Sequence, residues 1–137
     1  MPTIEPEVLE FAASICATEP DESEEIYRIY RSIFRERNYF RHPAGFLVVK
    51  ISRSKKPFWG ITKQIFDALN AHFNYHLVLL TKADQGWVFS KSQAVERIGS
   101  TWHLDSTGQQ YKINSPLPDA HWFLGAKSFL RRIGTDA

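Results

Sequence analysis

The chain has 137 residues, 43% of them hydrophobic, with ten Phe and four Trp, which is the size and apolar content of one self-sufficient core. A single cysteine excludes an internal disulfide framework and a cysteine-rich zinc site. The formal net charge of +2 hides a split: residues 1–25 hold eight acids and no Lys or Arg, and the remainder holds seven acids and all seventeen bases, −8 against +10.

That split describes a basic body behind an acidic leading segment. On one reading the acids serve solubility and helix N-termini; on the other they shield a polyanion-binding body. No run approaches the roughly 18 to 20 apolar residues of a membrane span. The start, MPTIEPEV, lacks the basic-then-apolar order of a signal peptide. The expectation is a soluble, cytoplasmic chain forming one domain over residues 1–137, led by an acidic helical segment at 1–21.

Taken in order, residues 7–17 predict a short helix with Val8, Phe11 and Ile15 on one side and Cys16 as a small core residue. A second helix is expected over about 22–37. Asp21 caps it with Glu24, Ile26 to Phe34 supply the buried stripe, and Arg28, Arg31 and Arg35 run along another face. NYFRHPAG reads as a loop. The continuous apolar run from Phe46 predicts a strand buried on both faces, ending at Ser52. Pro57 then opens a helix to Phe73, with Phe58, Ile61, Ile65, Leu69 and Phe73 as its stripe.

HLVLL at 76–80 is a second buried strand, and KADQG turns into WVFS. Ser90 and Gln93 form the capping box of a short helix that Gly99 ends. TWHLD and QQYKIN alternate around STG as a hairpin. Residues 120–133 are helical at least from Ala126, and Gly134 stops them. If strands 46–52 and 76–80 are parallel, the helix between them makes a βαβ-like unit. The fold class is α/β or α+β, a mixed sheet flanked by helices.

Alternation puts Phe46, Val48 and Lys50 on one strand face, with Lys50 at its carboxyl end, where open α/β sheets place ligands. Arg53, Lys55 and Lys56 follow, and a helix N-terminus at Pro57 would add amide donors. FLVVKISRSKKPFWGITKQIFDAL followed by YHLVLLTKADQGWVFS resembles the core of the PD-(D/E)XK restriction-endonuclease-like superfamily, over residues 46 to about 90. The resemblance implies a restriction-endonuclease-like core in which Lys50 positions or activates the attacking water and Gln64 loosely matches a helix glutamine. It also implies Mg²⁺ held by an acid two residues before the lysine and another on an earlier strand. Here the first position is Val48, and no earlier strand is evident.

Asp67 and Glu25 are the acids that could have migrated. The implied function is nucleic-acid binding, of DNA in the first instance, through phosphates, on a degenerate phosphodiesterase site. Lys50, Arg53, Lys55, Lys56, Lys63 and the Arg28–Arg31–Arg35 row would line it, and Trp59 would stack bases. One alternative is an active Mg²⁺-dependent nuclease with rebuilt acids. Another is a protein-interaction domain, including a homodimer, using the acidic lead and the aromatic carboxyl half. The remaining histidines offer only His72 with His76, split by a helix-to-strand break, and His103 with Asp105 on one strand face.

Overall fold

The computed structural model describes residues 5–20, 39–98, 100–115 and 117–134. The expected helix at 22–37, with Arg28, Arg31, Arg35 and Glu25, lies outside those residues.

The chain forms a mixed α+β fold of two sheets. Helix α1 spans Pro6–Ser14, and a hairpin joins β1, Tyr39–His42, to β2, Gly45–Ile51. Strand β3, Phe58–Thr62, leads directly into α2, Lys63–His72. Next come β4, Tyr75–Lys82, β5, Gln85–Ser90, and α3, Lys91–Arg97. Strands β6, His103–Leu104, and β7, Gln110–Asn114, precede β8, Trp122–Leu124, and α4, Ala126–Arg132. The larger sheet has the order β1-β2-β4-β5-β8 and the smaller β3-β7-β6. No helix among the described residues is long and apolar enough to cross a membrane.

β2 and β4 are parallel neighbours, Phe46 opposite Tyr75 and Lys50 opposite Leu79, as the βαβ-like unit requires. Both are apolar through their middles, Phe46–Val49 and Leu77–Leu80, because both faces of the larger sheet are covered there. One face carries Phe46, Val48, Leu77, Leu79 and Phe89, and the smaller sheet and α2 cover it with Trp59, Ile61, Tyr111, Ile113, Phe66 and Leu69. The opposite face carries Leu47, Val49, Val78 and Leu80, and α1 and α4 cover it with Val8, Phe11, Ile15 and Phe129. Phe11 meets Phe129 edge-on at 4.9 Å.

Three sequence expectations need correction. Residues 58–62 form a strand, not the first turns of a helix. Trp59 and Ile61 face the core at a spacing of two, while Phe58 points to solvent. The helix starts at Lys63 and buries Phe66 and Leu69. Pro57 therefore opens no helix, and the amide donors expected at that position are strand donors instead. NYFRHPAG is not a plain loop: its middle is strand β1, closed onto β2 by a turn at Pro43 and Ala44. Gly45 follows with φ +123°, and a Cβ there would sit 2.9 Å from the Asn74 carbonyl oxygen, so only glycine suits the site.

The third correction concerns Cys16, which is exposed rather than in the core. It holds the left-handed position after α1, φ 58°. The Ala17 N–H donates to Ala12 O at 2.9 Å and the Cys16 N–H to Ala13 O at 3.2 Å, the pair of bonds that closes a Schellman motif. Elsewhere local chemistry acts as the sequence predicts. Ser90 Oγ accepts from the Gln93 N–H, and Gln93 Oε1 accepts from the Ser90 N–H at 2.8 Å. The hairpin forms, with Leu104 opposite Tyr111.

Candidate nucleic-acid interface

Lys50 is half-buried near the carboxyl end of β2, on the face turned toward the smaller sheet. β2 is an interior strand, so Lys50 does not project from a bare edge. Its register row continues across the sheet through Leu79, Trp87 and Trp122. Trp59 lies over that row, its ring 5.8 Å from Trp87.

The basic loop is a short closed excursion. The Ser52 N–H extends the β2–β4 ladder by donating to Leu80 O at 3.0 Å. The Ser52 hydroxyl, almost fully buried, accepts from the Phe58 N–H at 3.2 Å. Residues 53–57 thus leave and re-enter the fold at one point. Pro57 O takes the Ser115 hydroxyl at 2.7 Å, which ties the loop's exit to β7. Lys55 and Lys56 are exposed on it.

Arg53 turns the other way. Its Nε donates to Glu7 Oε2 at 2.7 Å, and its Nη2 donates to Glu7 Oε1 at 2.7 Å and Glu5 Oε2 at 2.6 Å. Glu5 and Glu7 begin α1, which covers the opposite face of the larger sheet. The Arg53 guanidinium holds the Glu7 carboxyl below the usual carboxylate range, and the two acids push Arg53 further up. Lys50 and Arg53 are therefore directed to different sides of the sheet, and the acidic lead reaches the basic loop.

Trp59 does not stack on solvent-borne rings. It is buried, and its Nε1 donates to Leu80 O at 3.1 Å, fastening β3 to β4. The neighbouring aromatic is the available one: Phe58 is 59% exposed. Successive strand residues point to opposite faces, so fixing Trp59 inward fixes Phe58 outward. Directly opposite Phe58 on the same outer face is Asn114; opposite Gly60 is Lys112, and beside Lys112 is His103. A Cβ on Gly60 would lie 3.0 Å from the Gln110 side-chain oxygen, so the amide of Gln110 lies over the bare glycine. No Asp or Glu occurs in β3, β6 or β7.

The outer face of the smaller sheet therefore carries Phe58, Lys112 and the amides of Gln110 and Asn114, without a carboxylate in its strands, and exposed Lys55 and Lys56 precede Phe58 in the chain. Asp105 sits at the far turn, where its Oδ1 accepts from Thr107 Oγ1 at 2.7 Å and from the Gln109 and Gln110 N–H groups. Those bonds hold its carboxyl low and leave no pairing with His103 among them.

Lys63 and Gln64 are not gathered with the loop. They begin α2 beyond Thr62, and the four steps from Phe58 to Thr62 span about 14 Å. Both are exposed, and Lys63 Nζ donates to Asp67 Oδ2 at 2.7 Å, so Asp67 raises the Lys63 ammonium and serves as its partner. The residues that sequence reasoning missed are Phe58, Lys112 and Asn114. The signal that could have found them is the alternation FWGIT against QYKIN, which brings Phe, Lys and Asn out on one side.

Among the described residues, which leave out Glu25, the donor set around Lys50 does not fit the Mg²⁺ that the nuclease resemblance implies. Val48 is fully buried in hydrocarbon. An earlier strand does exist, β1, but it reads Tyr, Phe, Arg, His and supplies no carboxylate. Among the described residues no three His, Cys, Asp or Glu side chains come together where they could hold a metal ion. Hard oxygen ligands are what Mg²⁺ requires. No protein-family model matches the chain, and neither a curated protein nor a solved structure matches it.

Proposed function

We propose that this protein binds nucleic acid without cleaving it, and that the outer face of its smaller sheet takes a single strand. The observation that carries the reading is Phe58, an aromatic ring held in water just after the exposed Lys55 and Lys56 in the chain, on a surface whose strands contain no acid. An exposed ring on an ordered strand stacks bases of any sequence, and lysines around it hold the phosphates. Single strands suit this face better than a duplex, because an exposed ring on a sheet face reaches unstacked bases that a paired helix conceals. Lys112 lies one strand over, in reach of the next phosphate. The restriction-endonuclease resemblance joins this reading only as a shared class of ligand, with Lys50 as an added cation at the strand end and not as a hydrolytic residue.

Fluorescence anisotropy with labelled single-stranded and duplex oligonucleotides over a salt series tests it. The single strand binds more tightly, and Phe58→Ala weakens it by about 1–3 kcal/mol, the value of one stacked base. Lys55→Ala with Lys56→Ala flattens the log–log salt dependence by about 1.4, two contacts at roughly 0.7 each for single strands. Binding that is equal in Phe58→Ala, or absent at low salt, overturns the reading.

A further inference from the structure

Arg53 is the cation of the loop that the fold engages most fully, with three hydrogen bonds to two carboxylates. A guanidinium fork meets a carboxylate and a phosphate with the same paired N–H geometry. The two carboxylates on it come from the N-cap and the first turn of α1, whose body is fixed to the sheet by Val8, Phe11 and Ile15. The carboxylates themselves remain in water: the side chains of Arg53, Glu5 and Glu7 are 53%, 53% and 30% exposed. Exposed ion pairs of this kind contribute little to folding, so exchange of one anion for another leaves the fold in place. Arg53 also follows Ser52, the residue that receives the Phe58 N–H, so this cation stands at the base of the loop whose other end presents the stacking ring.

We infer that Arg53 is a phosphate position at the margin of the nucleic-acid interface, met where a strand leaving the outer face crosses the base of the loop, and that Glu5 and Glu7 are a built-in competitor for it. The inference rests on the nucleic-acid reading above and adds its regulation. With the acids in place the loop's Arg53, Lys55 and Lys56 present +3 against −2; with a phosphate in place of the acids all three cations serve the ligand. The nucleic acid has to displace the chain's own carboxylates, which weakens binding of short or weakly charged ligands most. No covalent step is involved.

The test is the isosteric double variant Glu5→Gln with Glu7→Gln, titrated with the same single-stranded oligonucleotide. It binds more tightly than the parent chain, and its salt dependence steepens by about 0.7, one added phosphate contact. Adding Arg53→Ala to that variant removes the gain, and the loss of affinity on Arg53→Ala is larger in the double variant than in the parent background. In the parent chain the Arg53 Nε–H resonance shifts when the oligonucleotide is added. Equal affinity and slope in parent and double variant, with binding intact, overturns the competitor and leaves the interface standing. Binding by neither protein overturns both. Thermal unfolding of each variant near the parent midpoint shows that α1 stays docked.

Discussion

The two sheets draw on similar residues and end in opposite situations. In the larger one, β2 and β4 are apolar on both faces, and helices on one side and the second sheet on the other cover them. In the smaller one, Trp59, Ile61, Tyr111 and Ile113 go inward, while Phe58, Lys112 and Asn114 go out to water. Both are rich in the aromatic and β-branched residues that suit a pleated surface. What separates them is phase. A strand with apolar residues at every position becomes scaffold, and one that alternates keeps a face for chemistry. The strand-end lysine on the closed sheet draws attention in the sequence, yet the open sheet holds the exposed ring.

The contrast is broken most severely by truncating the closed sheet. Leu77→Ala, at a fully buried site on β4, costs about 2–5 kcal/mol in urea unfolding. Phe58→Ala, on the open face, stays within about 0.5 kcal/mol while weakening nucleic-acid binding as described above. Equal stability losses would show that Phe58 is part of the core after all.

A smaller effect sharpens the same comparison through pH. Burial holds His42 and His76, on the α1-covered face, and His121, against Phe89, below the ordinary 6.5. His76 is further lowered by the His42 ring, and His121 by Arg97 and Arg132. A histidine lowered in the fold favours the native state while it is neutral. That contribution is present above 6.5 and is lost as pH falls through the folded values. The urea midpoint therefore falls on acidification from neutral pH. The fall is shallower in His76→Gln; a slope unchanged by that substitution would remove His76 from the account.

The smallest effect is a gain. Cys16→Gly relieves a left-handed residue at the end of α1 and raises stability by about 1 kcal/mol, with no change in oligonucleotide affinity. A loss would mean that the thiol has a packing role its exposure does not show.

Much of the closed sheet is legible from sequence, because continuous apolar runs at Phe46–Val49 and Leu77–Leu80 admit few other roles. The Ser90–Gln93 box and the β6–β7 hairpin are legible because their chemistry is local. β3 is not, because Phe58, Ile61, Ile65 and Leu69 satisfy helical spacing and Pro57 imitates a first helical residue. Losing that strand also reverses the choice of aromatic: only once 58–62 alternates does Trp59 turn in and Phe58 turn out. The lysines of the loop are plain in the sequence. The partner of Arg53 is not, since Glu7 lies 46 residues away and no short-range pattern joins them.

The three indoles along the junction of the sheets have an optical consequence. Trp59 meets Trp87 at 5.8 Å and Trp87 meets Trp122 at 4.7 Å, both edge-on. Transition dipoles so near and so inclined share their excitation and give a paired band of opposite signs in circular dichroism. The chain thus carries its own unlabelled gauge of whether the second sheet is seated: lifting β3 would separate the first pair and erase its part of the couplet while the helical signal remained.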